Sequence, residues 1–362
     1  MILCKNILSI TISLLFSCFV FSQTDSVKNK STLILPLITK SIETDWSLGL
    51  ATVVTFKMSL KDSIARTSNI EVIGLYSLKD QFVAVINGNQ YFKNEQFILN
   101  EQISYSSFPD KFWGLGNNTK ATAEEPYTFQ QYFLFAHLMK NLGNHFFLGG
   151  IIEHQNVLAV NYIAGGLFDQ QNITGRNGYH TLGLGISFTN DTRNHAFTPS
   201  RGRFAQLFLT GNNNSWGSSF NFFSLVADYR QYIPIANKSV LALQAYSLNG
   251  FGDEIPLRNL GSLGGSNSMR GYYSGRYRDK NLFVSQSEYR LPIYKRIGAV
   301  AFGSIGNVGN NFAEITNCEI KYSYGGGIRF ALNKKEKLNL RIDYGLGKGN
   351  NHGLYFQIGE AF

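Results

Sequence analysis

Apolar and polar residues alternate strictly near the carboxyl end of the chain. From 337 to 347 every even position is apolar and every odd position is polar or glycine. The final segment, 352 to 362, repeats the pattern, with Phe362 on the apolar face and Glu360 as its one interruption. Successive side chains of a β-strand point to opposite faces, so this period of two predicts strands with one greasy face. Glycine and small residues on the other face favour a crowded lumen over bulk solvent.

The same pattern recurs along the chain and predicts about sixteen strands. We expect boundary errors of a few residues, because strand ends carry the weakest signal. The predicted strands are 32–39, 46–58, 68–78, 81–92, 96–107, 126–139, 145–158, 179–190, 202–211, 216–232, 238–248, 281–291, 297–307, 319–332, 336–346 and 352–362.

The predicted connections fall into two kinds. Those at 232–237, 292–296 and 333–335 are tight, whereas those at 108–125, 159–178, 249–280 and 308–318 are long. A closed transmembrane barrel has short periplasmic turns and long outer loops, so this division supports the strand count. Both chain ends are then expected on the periplasmic side.

Composition favours a membrane barrel over a soluble sandwich. The chain has 29 Phe, 19 Tyr and 36 Gly against 7 Pro, and few charged residues. Such enrichment is typical of strands that face lipid on one side and water on the other. The predicted fold class is therefore all-β, a transmembrane antiparallel β-barrel. The net charge of +9 is spread along the chain, which favours contact with anionic lipid headgroups and argues against nucleic acid.

The amino terminus has the layout of an export signal. Lys5 precedes an apolar run from 7 to 21, and the polar Ser22 and Gln23 follow. We expect a signal peptide at 1–23, a short periplasmic lead-in at 24–31 and the barrel domain at 32–362. A lipid anchor on Cys18 is the alternative. After cleavage Cys318 would be the only cysteine, which leaves no disulfide and no cysteine metal cluster.

One long connection carries a glycine-rich segment around Arg270. The stretch from 249 to 280 lacks the period of two although strong alternation flanks it, and connections of this length are usually functional or disordered. Met269 and Tyr272 supply apolar surface to bury, and Arg270 has a charge to neutralise, which favours order. A solvated Arg270 in an outer loop is the alternative.

Three motifs in order carry a family resemblance. They are the strand at 184–193, the turn from Phe197 to Gly202, and the Arg270-Gly271-Tyr272 loop. Together they resemble the bacterial surface antigen barrels, the BamA/TamA-type outer-membrane assembly and translocation family. The resemblance implies a sixteen-stranded barrel in the outer membrane whose sixth outer loop folds into the lumen. It also implies that Arg270 lies against the inner wall of strands twelve and thirteen.

The resemblance assigns roles to residues of that wall. Glu288 matches the family's inward acid on strand twelve, and Phe302 matches the aromatic residue that packs on the loop tip. Ser304 stands where the family usually has an aspartate. Glu288 is therefore expected to carry the pairing with Arg270 alone. Asp343 also has inward parity, and two interpretations stay open for it: a second counterion in the lumen, or a solvated wall residue.

The turn motif comprises Asp191, Arg193, Pro199, Arg201 and Gly202. The charged members are expected to cap a periplasmic turn, because Asp side chains readily accept backbone hydrogen bonds there. This is a structural role and not a catalytic one.

The first and last strands carry residues that weaken pairing. Pro36 cannot donate a ladder hydrogen bond, and Gly359 matches the family's kink glycine before the terminal Phe362. If strands one and sixteen close the barrel, the seam between them is a candidate gate for a substrate strand or a lipid. The alternative is a proline at a strand end and a glycine that relieves crowding.

The functional expectation follows from the resemblance. It is insertion or translocation of outer-membrane proteins, with outer-membrane lipid, lipopolysaccharide and nascent outer-membrane proteins as partners. Family members usually carry POTRA domains, but about ten residues separate Gln23 from the first strand. Two interpretations stay open: a separate periplasmic partner delivers the substrate, or the barrel acts alone. A passive pore or a structural barrel in an envelope complex is the alternative. The scattered histidines suggest no metal site, cofactor or coupled Ser, His and acid set, so an enzyme is not expected.

Overall fold

The computed structural model describes residues 30–362 except 60, 63, 196, 197 and 334–337. The predicted signal peptide, most of the predicted lead-in and Phe197 of the turn motif lie outside the described residues and stay predictions. No helix in the described part is long and apolar enough to cross a membrane.

Sixteen antiparallel strands close into one barrel, and each lies beside its neighbours in the chain. The predicted fold class and strand count are confirmed. The strands are β1 (Lys30–Ser41), β2 (Asp45–Phe56), β3 (Ser68–Ser77), β4 (Phe82–Tyr91), β5 (Phe97–Phe112), β6 (Glu125–Gly143), β7 (Phe146–Asn161), β8 (Tyr179–Asp191), β9 (Gly202–Asn212), β10 (Phe222–Pro234), β11 (Val240–Phe251), β12 (Asn281–Tyr294), β13 (Ile297–Gly309), β14 (Lys321–Asn333), β15 (Leu338–Gly347) and β16 (His352–Ile358).

Short elements decorate the connections. Two three-residue strands, Gly261–Leu263 and Tyr277–Asp279, pair inside the loop between β11 and β12, a stretch in which the sequence shows almost no period of two. Strands this short carry too little alternation to be predicted. The helices are α1 (Leu167–Gln170) and α2 (Phe312–Asn317), with 3₁₀ turns at Lys93–Glu95, Ala121–Ala123, Asn214–Trp216, Ala236–Lys238 and Leu257–Asn259.

The alternation of each strand sorts its side chains to two sides of the wall. On β15, Ile342 and Tyr344 face outward and are exposed, whereas Arg341 and Asp343 face inward and are buried. A band of exposed Leu, Ile, Phe and Tyr therefore surrounds the barrel, as a hydrocarbon-facing wall requires.

The barrel has a loop end and a terminus end, the latter being the end at which β16 stops. The predicted division of connections holds only in part. Residues 57–67 and 192–201 are long connections at the terminus end, while 42–44, 78–81 and 348–351 are tight turns at the loop end. Segment 57–67, called the cross-bar here, is long because it does more than join two strands.

The cross-bar folds across the terminus end of the lumen. Ala65 packs with inward side chains of β4 to β7, and Arg66 binds Glu95 at 2.9 Å and Asp191 at 3.2 Å. Backbone N–H groups of Ala65 and Asn94 hydrogen-bond Asp62 and lower its pKa. The cross-bar is thus fixed to the barrel through both Asp62 and Arg66.

The final strand ends earlier than the sequence predicts. Gly359 has φ of 91°, and after it the chain turns into the lumen. The expectation that Phe362 faces lipid is wrong: it is 7% exposed, and its carbonyl accepts a hydrogen bond from Arg290 at 2.9 Å. Glu360, which interrupts the apolar face in the sequence, binds Arg329 at 2.8 Å inside the barrel.

Candidate functional site

The loop between β11 and β12, residues 252–280, folds back into the lumen. Its tip buries Leu263, Met269 and Tyr272 completely against inward side chains of β12 and β13. The backbone amide of Ser274 donates to the half-buried carboxylate of Glu43, in the turn after β1, at 2.7 Å, and desolvation raises the pKa of Glu43. The loop is therefore held from both sides of the barrel.

Arg270 is fully buried and lies between two carboxylates and a ring. Its Nη2 is 2.5 Å from Glu288 Oε1, and its Nη1 is 2.6 Å from Asp343 Oδ2. The guanidinium carbon stands 3.5 Å from the centroid of the Phe302 ring. Charge-assisted hydrogen bonds and cation–π contact in a dry site are strong, so this arrangement holds the loop tip firmly.

The second carboxylate corrects the expectation that Glu288 pairs with Arg270 alone. Asp343 on β15 is 0% exposed and ion-paired, so it is a lumen counterion and not a solvated wall residue. Ser304, at the position of the family's aspartate, is 3.2 Å from the Ser323 hydroxyl instead. The inner wall that receives Arg270 thus extends beyond β12 and β13 to β15, because strand parity turns Asp343 toward the same point.

More charges extend this pair into a network. Arg290 binds Glu288 at 2.9 Å, and Arg329 binds Asp343 at 2.5 Å as well as Glu360. Arg341 lies 3.6 Å from Asp343 and donates to the Asn267 side chain of the loop at 2.6 Å. Four guanidinium groups therefore share three carboxylates. Breaking one member of such a buried set is far more costly than the net stabilisation by the set.

Glycines let the loop backbone approach β15 closely. Gly271 has φ of 114°, and its amide donates to the Tyr355 hydroxyl at 2.9 Å. A Cβ on Gly345 would stand 2.6 Å from the carbonyl carbon of Arg270. The Tyr272 hydroxyl donates to the Tyr322 carbonyl at 2.9 Å. Gly345 and Gly347 on the polar face of β15 are thus small because the loop lies on them.

A Gly345→Ala substitution is expected to destabilise the folded barrel by about 1 to 3 kcal/mol, because the new methyl group overlaps loop backbone that cannot easily move. Gly74→Ala is the matched control, since a Cβ at that strand position meets nothing within 4 Å. Urea unfolding in phospholipid vesicles, with protease cleavage of the loop as a second signal, checks the difference. Equal stability of the two variants would contradict the close docking.

The turn motif divides into two groups. Asp191 accepts from the Arg193 backbone at 3.1 Å and from its side chain at 2.8 Å, and it also binds Arg66 of the cross-bar. Gly202 has φ of 98°, which favours glycine, and Pro199 is buried. The Arg201 side chain is exposed, and its backbone amide donates to the Asn194 side chain at 3.2 Å, so Arg201 contributes to the turn through its backbone. Asp191 therefore ties the turn to the cross-bar as well as closing it.

The junction of β1 and β16 is the least paired place in the wall. Lys40 and Phe356 form its single register pair, whereas every other pair of neighbouring barrel strands shares seven or more. Pro36 lies on the stretch of β1 that runs past the end of β16, and it pairs only with Leu50 of β2. The inward turn at Gly359 removes the residues that would have faced this stretch. The part of β1 before Ile38 thus has no β16 partner because β16 ends at Ile358.

Comparisons with known proteins agree with this geometry. The Omp85 superfamily domain matches residues 8–362. The chain belongs to the Omp85 superfamily. The expectation of a surface-antigen-type outer-membrane barrel is confirmed at the level of family and fold. A search of curated proteins finds no match.

Solved structures share the fold of this Omp85 barrel. BamA from Haemophilus ducreyi lacking POTRA domains 1–3 superposes with a TM-score of 0.59 at 14% identity, over 91% of this chain and 70% of that one. CdiB from Escherichia coli gives 0.60 at 12% identity, over 93% and 64%. CdiB from Acinetobacter baumannii gives 0.59 at 11% identity, over 92% and 60%. The chain thus spans less than two thirds of either CdiB chain.

Several residues of the site escape motif matching. The alternation of their strands predicts that Arg329 and Arg341 point into the lumen, as Asp343 does. A buried charge needs a counterion, so both could have been predicted as partners of Asp343. A strand that continued to Phe362 would place the charged Glu360 on the apolar, lipid-facing side. That unfavourable position could have indicated the turn at Gly359. The cross-bar pairs residues far apart in sequence, so no local pattern reveals it.

Proposed function

We propose that this Omp85 barrel inserts or translocates outer-membrane proteins by way of the seam between β1 and β16. The single observation that carries the proposal is the one register pair, Lys40 with Phe356, in a wall that is otherwise continuously paired. A strand edge with free N–H and C=O groups recruits further strands, which is the physical basis of β-augmentation.

The free edge is the part of β1 from 30 to 38. It is paired with β2 on one side, and the residues 359–362 that would extend β16 turn into the lumen on the other. Pro36 lacks an N–H, so a substrate strand pairing here would find one donor missing and would bind less tightly. A weakly held strand is easier to release, which suits an insertion factor better than a permanent junction.

The filled lumen favours this function over a wide passive pore. The inserted loop occupies the middle of the barrel, the cross-bar covers part of the terminus end, and aromatic residues from strand ends and outer loops pack together at the loop end. A chamber of about 360 Å³ lies between the loop and β1 to β5. Small and unsteady conductance is therefore expected of this barrel.

Outer-membrane location, lipid and lipopolysaccharide surroundings and a separate periplasmic partner are parts of the same proposal. The outward apolar band supports a bilayer environment. The orientation assumed is the family's, with the terminus end toward the periplasm.

Depleting the protein in cells and weighing the outer-membrane proteome tests the function directly. We expect integral barrels to fall while lipoproteins of the same membrane stay constant. Reconstituted protein should also speed the folding of an unfolded barrel substrate into vesicles. An unchanged proteome together with unchanged folding rates would refute the proposal.

A further inference from the structure

A groove runs along the outer, lipid-facing wall across β7 to β12. It has a volume of about 520 Å³. It runs obliquely: Phe188 is three residues from the terminus end of β8 and Ala205 three from that end of β9, whereas Phe283 is two residues from the loop end of β12. Its floor is made of small side chains and its sides of aromatic ones: Ala205, Ala227, Ala245 and Ser247 below, Phe146, Phe188 and Phe283 beside them.

Register explains why the groove exists. Ala205 and Ala245 stand on either side of Tyr229 in one row, and Ala227 stands between Leu207 and Ser247 in the next. Their small side chains leave a depression in the outer surface of the barrel, because the neighbouring strands carry large outward side chains. Phe146 and Phe188 stack at 5.5 Å to make one side. The volume lies within the roughly 300 to 1,000 Å³ of typical ligand sites.

A fixed cation stands at the terminus side of this groove. Arg203 Nε donates to Asn190 Oδ1 at 2.8 Å, and the buried Asn190 donates in turn to the His145 carbonyl at 3.2 Å. The Arg203 side chain is exposed, and its two Nη atoms donate to none of the described residues. Asp228, the only carboxylate among the lining residues, is bound on the lumen side by Arg230 and by Gln244. The charge of Arg203 is therefore free to bind an anion.

The surrounding rim is also positive. Among the carboxylates described at this end, Glu95 and Asp191 are ion-paired within the protein, and Asp62 accepts backbone hydrogen bonds. The exposed cations at the same end include Lys93, Lys140, Arg201, Lys238 and Lys295. An apolar trough that ends at a fixed guanidinium, at the level where hydrocarbon meets headgroups, matches one ligand chemistry: an acyl chain joined to a phosphate.

We propose that this groove binds one glycerophospholipid of the periplasmic leaflet. Its acyl chain lies along Ala205, Ala227 and Ala245, and its phosphodiester oxygens accept hydrogen bonds from the free Nη atoms of Arg203. Arginine suits this role because its planar donors match phosphate oxygens and its long stem reaches the interface. The site is on the other side of the barrel from the β1–β16 seam, so the bound lipid is a fixed component of the wall.

Native mass spectrometry of the full chain, released from detergent in the presence of dioleoyl-phosphatidylglycerol, tests the site. The wild type should retain one lipid at low lipid concentration. Arg203→Gln should weaken retention roughly tenfold, the value of one charge-assisted hydrogen bond. Ala245→Phe, which fills the floor, should weaken it at least as much. Dioleoylglycerol, which lacks the phosphate, should bind as poorly to the wild type as the phospholipid does to Arg203→Gln.

Matched controls decide the outcome. Lys295→Gln removes a rim charge outside the groove, and Ala84→Phe adds a ring to the lipid-facing side of β4; both should retain lipid as the wild type does. If Lys295→Gln lost as much bound lipid as Arg203→Gln, the effect would come from the general positive charge of the rim. If dioleoylglycerol bound the wild type as well as the phospholipid does, Arg203 would have no role in binding the phosphate. A wild-type dimer that Ala245→Phe abolishes would assign the groove to a second copy of the chain. Each of these three results overturns the proposal.

Discussion

Replacing Arg270 by alanine is expected to lower the free energy of unfolding by about 3 to 5 kcal/mol. The substitution leaves the carboxylates of Glu288 and Asp343 facing each other in a site with no exposed surface, without the guanidinium that bridges them. It also removes the cation above the Phe302 ring. Denaturant unfolding in vesicles, followed by tryptophan fluorescence, measures the loss.

Arg201→Ala is the control for this prediction, because the Arg201 side chain is exposed and surface changes of this kind usually stay within about 0.5 kcal/mol. Arg270→Lys should fall between the two, since a single ammonium cannot bridge both carboxylates with parallel donors. If the alanine variant does not fold, Glu288→Gln can be measured instead, because it destabilises the site less. Arg270→Ala barrels as stable as Arg201→Ala barrels would show that the buried pair does not hold the loop.

Locking the seam is expected to abolish insertion of substrate barrels. Cysteines at Lys40 and Phe356, in a Cys318→Ser background, stand directly opposite each other, where Cα atoms are about 4.5 to 5.5 Å apart and within disulfide reach. Folding of an unfolded substrate into vesicles should fall to the unassisted rate on oxidation and recover on reduction.

A second cysteine pair controls for the disulfide itself. Leu48 and Tyr76 are opposite each other on β2 and β3, in continuously paired wall, and both are exposed to lipid. Oxidation there should leave insertion unchanged. Full activity of the oxidised Lys40–Phe356 pair would rule out opening at the seam as the route.

Much of the architecture could be predicted because each strand repeats one simple rule. Alternation gave β15 its two faces correctly, and the outward Ile342 and the inward Asp343 followed from it. Motif matching placed Arg270, Glu288 and Phe302 in one site, where the structure also finds them. Parity decides which side a residue faces, but it does not decide which inward residues meet across the lumen.

The errors share that physical origin. Asp343 is three strands away from Glu288, and only closure of the barrel with the loop inside brings both to Arg270. The cross-bar likewise joins Arg66 to Asp191 across the terminus end, a contact between residues 125 positions apart. The end of β16 was misplaced because one glycine with positive φ overrides an alternation that continues in sequence beyond it.

The inward tail after Gly359 connects the proposed seam to the inserted loop. Glu360 and Arg329 form one link of a chain of ion pairs that runs through Asp343 to Arg270. If β16 separates from β1 as proposed, we expect the tail to move with it and to pull on the ion pairs that hold the inserted loop. We therefore expect opening of the seam and the anchoring of the loop to be energetically coupled.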